Sequence, residues 1–297
     1  MNALVAQLSD SFVDELVSAV GLPRSRLTHK LFGRVFLKIR NHLADIGATF
    51  DQISKERGFP AASAWALSHF CDGYQVHGAE RIPTQGPLLV ASNHPGTYDS
   101  LVLFANLEGH KIRCVASEIP ALRLLPNASR HFLVTPSDAV HERMIVLRKL
   151  IRHLQHGGTL VYFAAGHREP DPAVYPTSEG LFDGWLNVFD TFFKVVKDLQ
   201  ILPTIVSGVI SADWVKHPIT WLRQKQIDKQ RLAEFGQVMT QLRQPGKLLM
   251  KPRLSVGMPF TEKDLRQVAG SGPLFPAVIA RVKALWRESS AYFGDFL

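Results

Sequence analysis

The sequence predicts an α/β fold, in which a mixed, largely buried sheet is flanked by helices and preceded by an N-terminal helical subdomain. From about residue 74, short apolar runs alternate with longer amphipathic segments, a pattern typical of alternating strands and helices. The preceding residues show helical periodicity only. We therefore expect a helical subdomain over residues 1–73 and an α/β domain over residues 74–297. With 46% hydrophobic residues, the chain can bury a sizeable core.

The N-terminal region is predicted to contain two kinds of helix. Ser11 and Asp14 have the spacing of a capping box, which predicts a helix start at Ser11 and an end near residues 21–23 (GLP). Residues 24–44 contain no acidic residue and predict a basic amphipathic helix. Its basic stripe consists of Arg26, Lys30, Arg34 and Lys38. Two interpretations stay open: a core helix with a solvated basic face, or an element that lies on an anionic membrane.

The elements of the α/β domain follow from the apolar runs and from the Gly, Pro, Asn and Asp residues that bound them. The expected strands cover residues 75–77, 88–92, 112–116, 132–135, 159–163, 201–209 and 254–257. The expected helices of this domain cover residues 100–107, 141–154, 186–199, 226–242 and 276–292, and two more, at 44–54 and 61–70, are expected in the helical subdomain before it. A linker rich in Gly, Pro or Ser is absent after residue 74, so we expect one domain there.

The composition limits the classes of partner. A net charge of +8 favours an anionic partner, such as a nucleic acid, a membrane surface or a phosphorylated substrate. The sequence lacks zinc-ligand spacing and a long basic tail, which argues against nucleic acid. It contains no apolar run of about 18 residues, so we expect no transmembrane helix. Met1–Asp10 lacks a signal pattern and only Cys71 and Cys114 are present, which predicts a cytoplasmic protein with reduced thiols.

Residues 88–99 (LLVASNHPGTYD) predict a strand, a tight turn and the start of a helix. The turn would project His94 from the sheet edge, and Asp99 would return beside its imidazole. A histidine oriented by a carboxylate is the minimum equipment for general-base catalysis. Because a Gly-x-Ser-x-Gly motif is absent and neither cysteine is near, the nucleophile would belong to the substrate. The alternative is a turn histidine followed by an ordinary helix cap.

The segment RIPTQGPLLVASNHPGTYD resembles the first signature of the glycerolipid acyltransferases, the family of glycerol-3-phosphate and 1-acylglycerol-3-phosphate acyltransferases. In that family an H-x4-D pair transfers a fatty acyl chain from a thioester to a glycerol phosphate. The resemblance implies that His94 is the general base and that Asp99 is the orienting carboxylate. Backbone amides near the turn or at Gly166 would stabilise the oxyanion.

A second stretch, TLVYF followed by AAGHR, resembles the family block F-P-E-G-T-R. Gly166 would let a ligand approach the backbone closely, and Arg168 offers a planar fork suited to the acceptor phosphate. His167 either supplies a hydrogen bond or is a bystander. Ala165 replaces the glutamate of the block, which leaves the identity of the acceptor open.

The rest of the resemblance is looser and extends over about residues 74–260. Residues 129–135 occupy the place of the block G-x-x-F-I-x-R, in which Phe132 matches and is expected to contact substrate. Thr135 stands where the block has arginine. Residues 201–206 and 254–260 resemble the later strands of the family.

The resemblance implies an O-acyltransferase of phospholipid biosynthesis that takes its acyl group from acyl-coenzyme A or acyl carrier protein. The implied acceptor is 1-acyl-sn-glycerol 3-phosphate, and no metal or redox cofactor is implied. We expect a peripheral enzyme on the inner face of the cytoplasmic membrane. Trp221 among the basic residues of 216–231 fits a membrane interface or a loop with one packed aromatic. The alternatives are glycerol 3-phosphate, another lysolipid or an amine as acceptor, or a lipid-binding protein without turnover.

Overall fold

The computed structural model describes residues 3–20, 25, 30, 33–34, 36–96, 98–116, 120–135, 140–175 and 179–294. These residues form a mixed α/β fold in which one sheet is flanked by helices on both faces, as the sequence predicts. None of the helices in these ranges is long and apolar enough to cross a bilayer.

The sheet of the described residues has seven strands in the order β1-β7-β6-β2-β5-β3-β4. Their bounds are β1 Gln75–His77, β2 Leu88–Ser92, β3 Ile112–Ala116, β4 Phe132–Val134, β5 Thr159–Phe163, β6 Gln200–Ser207 and β7 Arg253–Val256. Neighbouring strands are parallel except for β6 and β7, which are antiparallel. The predicted bounds of β1, β2, β3 and β5 are confirmed, whereas those of β4, β6 and β7 differ from the prediction by one or two residues.

The helices surround this sheet. The α-helices are α1 Ala3–Val20, α2 Leu37–Arg57, α3 Phe59–Leu67, α4 Asp99–Ala105, α5 Val140–Gln155, α6 Phe189–Val195, α7 Ala212–Val215, α8 Gln226–Arg243, α9 Glu262–Ala269 and α10 Phe275–Phe293. Shorter 3₁₀ helices span Ala79–Arg81, Pro120–Leu124, Ala128–His131, Glu179–Gly184 and Pro218–Leu222.

Two hydrophobic cores lie on opposite faces of the sheet, and β2 contributes to both. Leu88 and Val90 face the core that contains α1–α4 and α8, whereas Leu89 and Ala91 face the core that contains α5, α6, α9 and α10. This alternation follows from the two-residue period of a strand. All residues of β2 are buried, as expected for a parallel strand covered on both faces. The helices before residue 74 therefore share one hydrophobic core with this face of the sheet.

The connections create a crevice at the carboxyl end of β2. The chain leaves β2 toward β3 on one side, and it later passes from β5 back across β2 to β6. Ser92 and Phe163, the last residues of β2 and β5, are paired in register. Crevices of this kind, outside the carboxyl ends of parallel strands, are the usual ligand sites of open α/β sheets.

Three expectations for the N-terminal region are either corrected by the structure or lie partly outside the described residues. Helix α1 begins at Ala3, so Ser11 does not cap it; the buried Leu8 extends the apolar stripe upstream of the presumed start. Lys30, Arg34 and Lys38 are exposed, while Arg26 lies outside the described residues. Of the predicted helix over residues 24–44, residues 30, 33 and 34 are helical and residues 24, 26–29, 31–32 and 35 lie outside the described residues, while α2 covers the part from Leu37 onward.

One helix end and one missed helix toward the C-terminus also differ from the prediction. Helix α6 ends at Val195 rather than at residue 199, and Asp198 has a positive φ of 55° that is incompatible with a continuing helix. Helix α9 was not predicted, although Thr261 and Asp264 form its capping box. The capping pattern was present in the sequence without a long apolar stripe behind it.

Candidate active site

The site begins where Asn93 leaves the sheet. Its side-chain amide donates to the carbonyl of Val206 at 2.8 Å, and its side-chain oxygen accepts from the amide of Val206 at 2.8 Å. Asn93 is fully buried. The side chain thus takes the place of a pair of backbone hydrogen bonds between β2 and β6. The main chain can therefore turn away at His94 while the amide and the carbonyl of Val206 keep their hydrogen-bond partners.

His94 and Asp99 are brought together by the turn. Nδ1 of His94 lies 2.7 Å from Oδ2 of Asp99, and the same oxygen accepts the amide of Gly96 at 2.9 Å. Asp99 is completely buried at the first residue of α4, whereas the His94 side chain is 27% exposed. With the Nδ1 proton donated to the carboxylate, Nε2 carries the lone pair, which is the arrangement of a general base.

The His94 ring is also held from its face. It stacks on Phe163 with a centroid distance of 4.2 Å and an interplanar angle of 25°. Phe163 is the last residue of β5, and this strand pairs with β2. The edge of the imidazole is therefore held by the first residue of α4, and its face is held by the last residue of β5.

Glu169 connects the loop after β5 to His94. Its amide donates to the His94 carbonyl at 2.9 Å, and its carboxylate accepts the His94 amide at 2.9 Å. The second carboxylate oxygen accepts from Nε1 of the buried Trp185 at 3.1 Å. Burial raises the pKa of Glu169 to about 7, and the bonds from Trp185 and His94 oppose that increase. The group therefore changes its charge near neutral pH while lying against the backbone of the candidate base.

Arg168 is paired with a carboxylate. Its Nη1 contacts Oε2 of Glu234, a residue of α8 whose side chain is 7% exposed, and the Arg168 side chain is 30% exposed. Burial lowers the pKa of the Arg168 guanidinium, and the charge of Asp99 opposes that shift. Since a guanidinium has five donors, this ion pair leaves capacity for an anionic ligand.

The remaining predicted binding residues have different positions. Gly166 and His167 are exposed in the loop after β5, and Nδ1 of His167 lies 2.9 Å from the Ala165 carbonyl. Gly166 has a φ of 72°, and a Cβ there would lie 2.9 Å from the side chain of Leu186. Only glycine suits this backbone and this close contact.

Phe132 does not reach the site. Its ring meets Phe59 and Phe104 edge-on in the core. It begins β4, three strands from β2 in the sheet order, which corresponds to about 14 Å. The expectation that Phe132 contacts substrate rested on its place in a motif, whereas its surroundings are those of a core residue.

Two of the backbone amides in the region expected to stabilise the oxyanion, those of Gly96 and Gly166, are engaged within the protein. The Gly96 amide donates to Asp99, and the Gly166 amide donates to the carbonyl of Phe163 at 3.1 Å. Neither is available to a ligand in this conformation.

Polar residues of α8, which the sequence prediction missed, support the site from one side. Gln230 donates to the carbonyls of Pro95 and Glu169 and so joins the two site loops. It belongs to a buried polar stripe at helical spacing, namely Gln230, Glu234, Gln237 and Gln241. Four buried polar residues along one stripe of an amphipathic helix are a detectable signal, because such groups need partners.

Asp171 fixes the segment that follows β6. Its carboxylate accepts from the amides of Ala173, Gly208, Val209 and Ile210 at 2.8–3.0 Å. Asp171 is fully buried; burial raises the pKa of this carboxyl, and the bonds from these amides oppose the increase. Ile210 packs so closely on Gly96 that a Cβ there would lie 2.9 Å from its side chain. Asp171 thereby supports the turn that carries His94.

Comparisons with known proteins bear on this site. The sequence model of the acyltransferase family matches residues 73–207, which run from just before β1 to the end of β6. No curated protein matches the chain significantly. Among solved structures, the chain is similar to the 1-acyl-sn-glycerophosphate (LPA) acyltransferase PlsC from Thermotoga maritima. The identity is 14% over 98% of this chain and 95% of that chain, with a TM-score of 0.44.

Proposed function

Residues 73–207 match the sequence model of the acyltransferase family, and on that premise we propose that this chain moves a fatty acyl group from a thioester to the hydroxyl of a glycerol phosphate. The observation that carries the proposal is the 2.7 Å contact between His94 and Asp99 at the carboxyl end of β2. The acceptor best suited to the site is 1-acyl-sn-glycerol 3-phosphate, in phospholipid biosynthesis. The donor is acyl-coenzyme A or acyl carrier protein, and the enzyme works on the inner face of the cytoplasmic membrane.

The reaction follows from the geometry of His94. Nε2 removes the proton of the acceptor hydroxyl, and Asp99 stabilises the imidazolium that forms. The hydroxyl oxygen attacks the thioester carbonyl, and collapse of the tetrahedral intermediate breaks the carbon–sulfur bond. The departing thiolate takes the proton back from His94. Ester and thiol are the products, and no metal or redox cofactor takes part.

The assay that tests this function measures thiol release from palmitoyl-coenzyme A and from palmitoyl-acyl carrier protein. It is run with lysophosphatidic acid, with glycerol 3-phosphate and without acceptor. We expect release that depends on lysophosphatidic acid and falls about 10²- to 10⁴-fold in His94→Ala. The control variant is His156→Ala, which should retain activity. His156 is exposed, and its Nδ1 contacts the carbonyl of Arg152. Equal release by the wild type and His94→Ala would overturn the assignment.

Arg168 is proposed to bind the acceptor phosphate, because a guanidinium matches phosphate geometry and lies on the loop beside His94. We expect Arg168→Gln to raise the KM for lysophosphatidic acid at least about tenfold, with no change in the KM for the donor. Monoacylglycerol, which lacks the phosphate, should lose no affinity. The measurement is steady-state kinetics with each acceptor.

The control for Arg168 must account for Glu234, whose carboxylate would be left buried without its cation. The double variant Arg168→Gln/Glu234→Gln removes that charge and should show the same KM increase. Arg266→Gln breaks an exposed pair with Glu262 and should leave both KM values unchanged. An unchanged KM for lysophosphatidic acid in the double variant would exclude Arg168 as the phosphate ligand.

A further inference from the structure

The 3₁₀ helix Pro218–Leu222 presents large apolar side chains to solvent. Trp221 is 73% exposed, Leu222 is 78% exposed and Ile219 is 39% exposed. Thr220, in contrast, is buried, and its hydroxyl lies within hydrogen-bonding distance of the carbonyls of Val215 and His217. The turn is thus anchored through Thr220 while its apolar side chains point away from the protein. The alternative of a loop with one packed aromatic is wrong for Trp221.

The degree of exposure at adjacent positions distinguishes Trp221 and Leu222 from the adjacent pair Met144 and Ile145 on α5, which are only 46% and 38% exposed. Ile219 and Leu222 are three residues apart and therefore share one face of a 3₁₀ helix, beside Trp221. Val268 is equally exposed at 78%, but it lies on α9 outside any such cluster within the described residues. Contiguous exposed apolar groups with a polar rim mark interaction surfaces, whereas single ones are ordinary.

The charge around this turn indicates which kind of partner it binds. From Lys216 to Lys225 the chain has three basic residues and no acidic one. Lys216 and Lys225, at the two ends of this segment, are exposed. Tryptophan and leucine flanked by lysine match the boundary between headgroups and acyl chains, where the rings and aliphatic groups enter the lipid and the ammonium groups meet anionic phosphates. The same chemistry does not suit a nucleic acid, which offers no apolar layer.

The turn is connected to the loop of His94 through β6 and α8. It follows β6, and the carboxyl end of β6 adjoins that of β2. It packs on α8, the helix whose Gln230 bonds to Pro95 and Glu169. Trp214, just before the turn, packs so closely on Gly236 of α8 that a Cβ there would lie 2.2 Å from its ring. The turn and the site loops are therefore attached to the same helix.

We propose that Ile219, Trp221 and Leu222, with Lys216 and Lys225, form the surface through which this protein docks onto an anionic phospholipid bilayer. If the proposed function holds, docking here would place the carboxyl edge of the sheet, and with it His94, toward the lipid from which the acceptor comes. The docking itself does not depend on turnover.

Vesicle flotation of the full-length protein tests this surface. Vesicles of phosphatidylcholine with phosphatidylglycerol should bind the wild type, and pure phosphatidylcholine should bind it more weakly. We expect Trp221→Ser/Leu222→Ser to lower the partition coefficient about a hundredfold, because burial of each large apolar side chain contributes about tenfold. Val268→Ser, with an equally exposed side chain, is the matched control and should float like the wild type. Lys216→Gln/Lys225→Gln should reduce the preference for phosphatidylglycerol.

The outcomes separate docking from catalysis and from self-association. Thiol release with a short-chain thioester and glycerol 3-phosphate needs no vesicle, so the docking variants should retain whatever rate the wild type shows. Flotation of Trp221→Ser/Leu222→Ser at the wild-type level would overturn the proposal. A wild-type dimer in analytical ultracentrifugation that is lost in this variant would also overturn it, since the apolar turn would then be a contact between two copies. Loss of flotation with a monomeric wild type supports it.

Discussion

Asp99→Asn is expected to lower kcat by about 10³- to 10⁴-fold and to leave the KM of both substrates nearly unchanged. In the protein, one oxygen of Asp99 accepts both from Nδ1 of His94 and from the amide of Gly96. If the asparagine nitrogen occupies that position, His94 must accept at Nδ1, so Nε2 is protonated and cannot act as a base. If the asparagine oxygen occupies it, the tautomer is kept but the negative charge that stabilises the imidazolium is lost.

The control for Asp99→Asn is Asp183→Asn. Asp183 is 61% exposed and paired with Lys283, so the substitution breaks an ion pair far less buried than that of Asp99. Its kcat should remain within about twofold of the wild type. Steady-state kinetics should be accompanied by thermal unfolding to show that both variants are folded. A folded Asp99→Asn enzyme with more than about a tenth of wild-type kcat would mean that the carboxylate does not act through His94.

Asp171→Ala is expected to lower the free energy of unfolding by at least about 3 kcal/mol. The substitution removes the acceptor of four buried or half-buried backbone amides, from Ala173 and from residues 208–210. Each amide left without a partner costs about 1–3 kcal/mol where water cannot replace the carboxylate. Urea denaturation followed by circular dichroism measures the difference.

Two further variants test whether the lower free energy of unfolding comes from the lost hydrogen bonds of these backbone amides. In Asp171→Asn one oxygen still accepts from its two backbone amides, whereas the new NH₂ group faces the other two and cannot accept from them. We therefore expect a decrease in the free energy of unfolding that is smaller than that of Asp171→Ala. Asp72→Ala removes an exposed carboxylate paired with Lys251 and should cost less than about 1 kcal/mol. If Asp171→Ala were no less stable than Asp72→Ala, the carboxylate would not be the main anchor of residues 208–210.

The parts of this molecule that could be predicted are those specified by local sequence. The strand at 88–92 is a run of apolar and small residues closed by Asn-His-Pro-Gly, and both its bounds and the proximity of His94 to Asp99 follow from that run and the tight turn after it. The strand at 159–163 follows in the same way from an apolar run that ends at Ala-Ala-Gly. Burial and turn chemistry act over a few residues here, so the sequence pattern is sufficient.

The parts that could not be predicted depend on contacts between distant segments. The loop sequence gave no indication that Glu169 would bond to the amide of His94, or that Arg168 would meet Glu234. Phe132 was assigned to the site from a motif, but the strand order places it in the core beside Phe59 and Phe104. Strand order is set by packing of whole helices on the sheet, which no short pattern encodes.

The bond from Gln230 to Pro95 spans 135 residues, and this separation has a consequence for folding. At about 5–20 residues per second, ribosomal synthesis would take roughly 7–27 s to reach α8 after the turn has emerged. Until then Pro95, Tyr98 and Glu169 lack their hydrogen-bond partners on α8, and long-range closure of this kind is slow. The turn that carries His94 therefore cannot acquire all its native contacts until α8 has been synthesised. A fragment that stops at residue 207, the end of the family-matched segment, would contain the His–Asp pair without the helix that holds it in place.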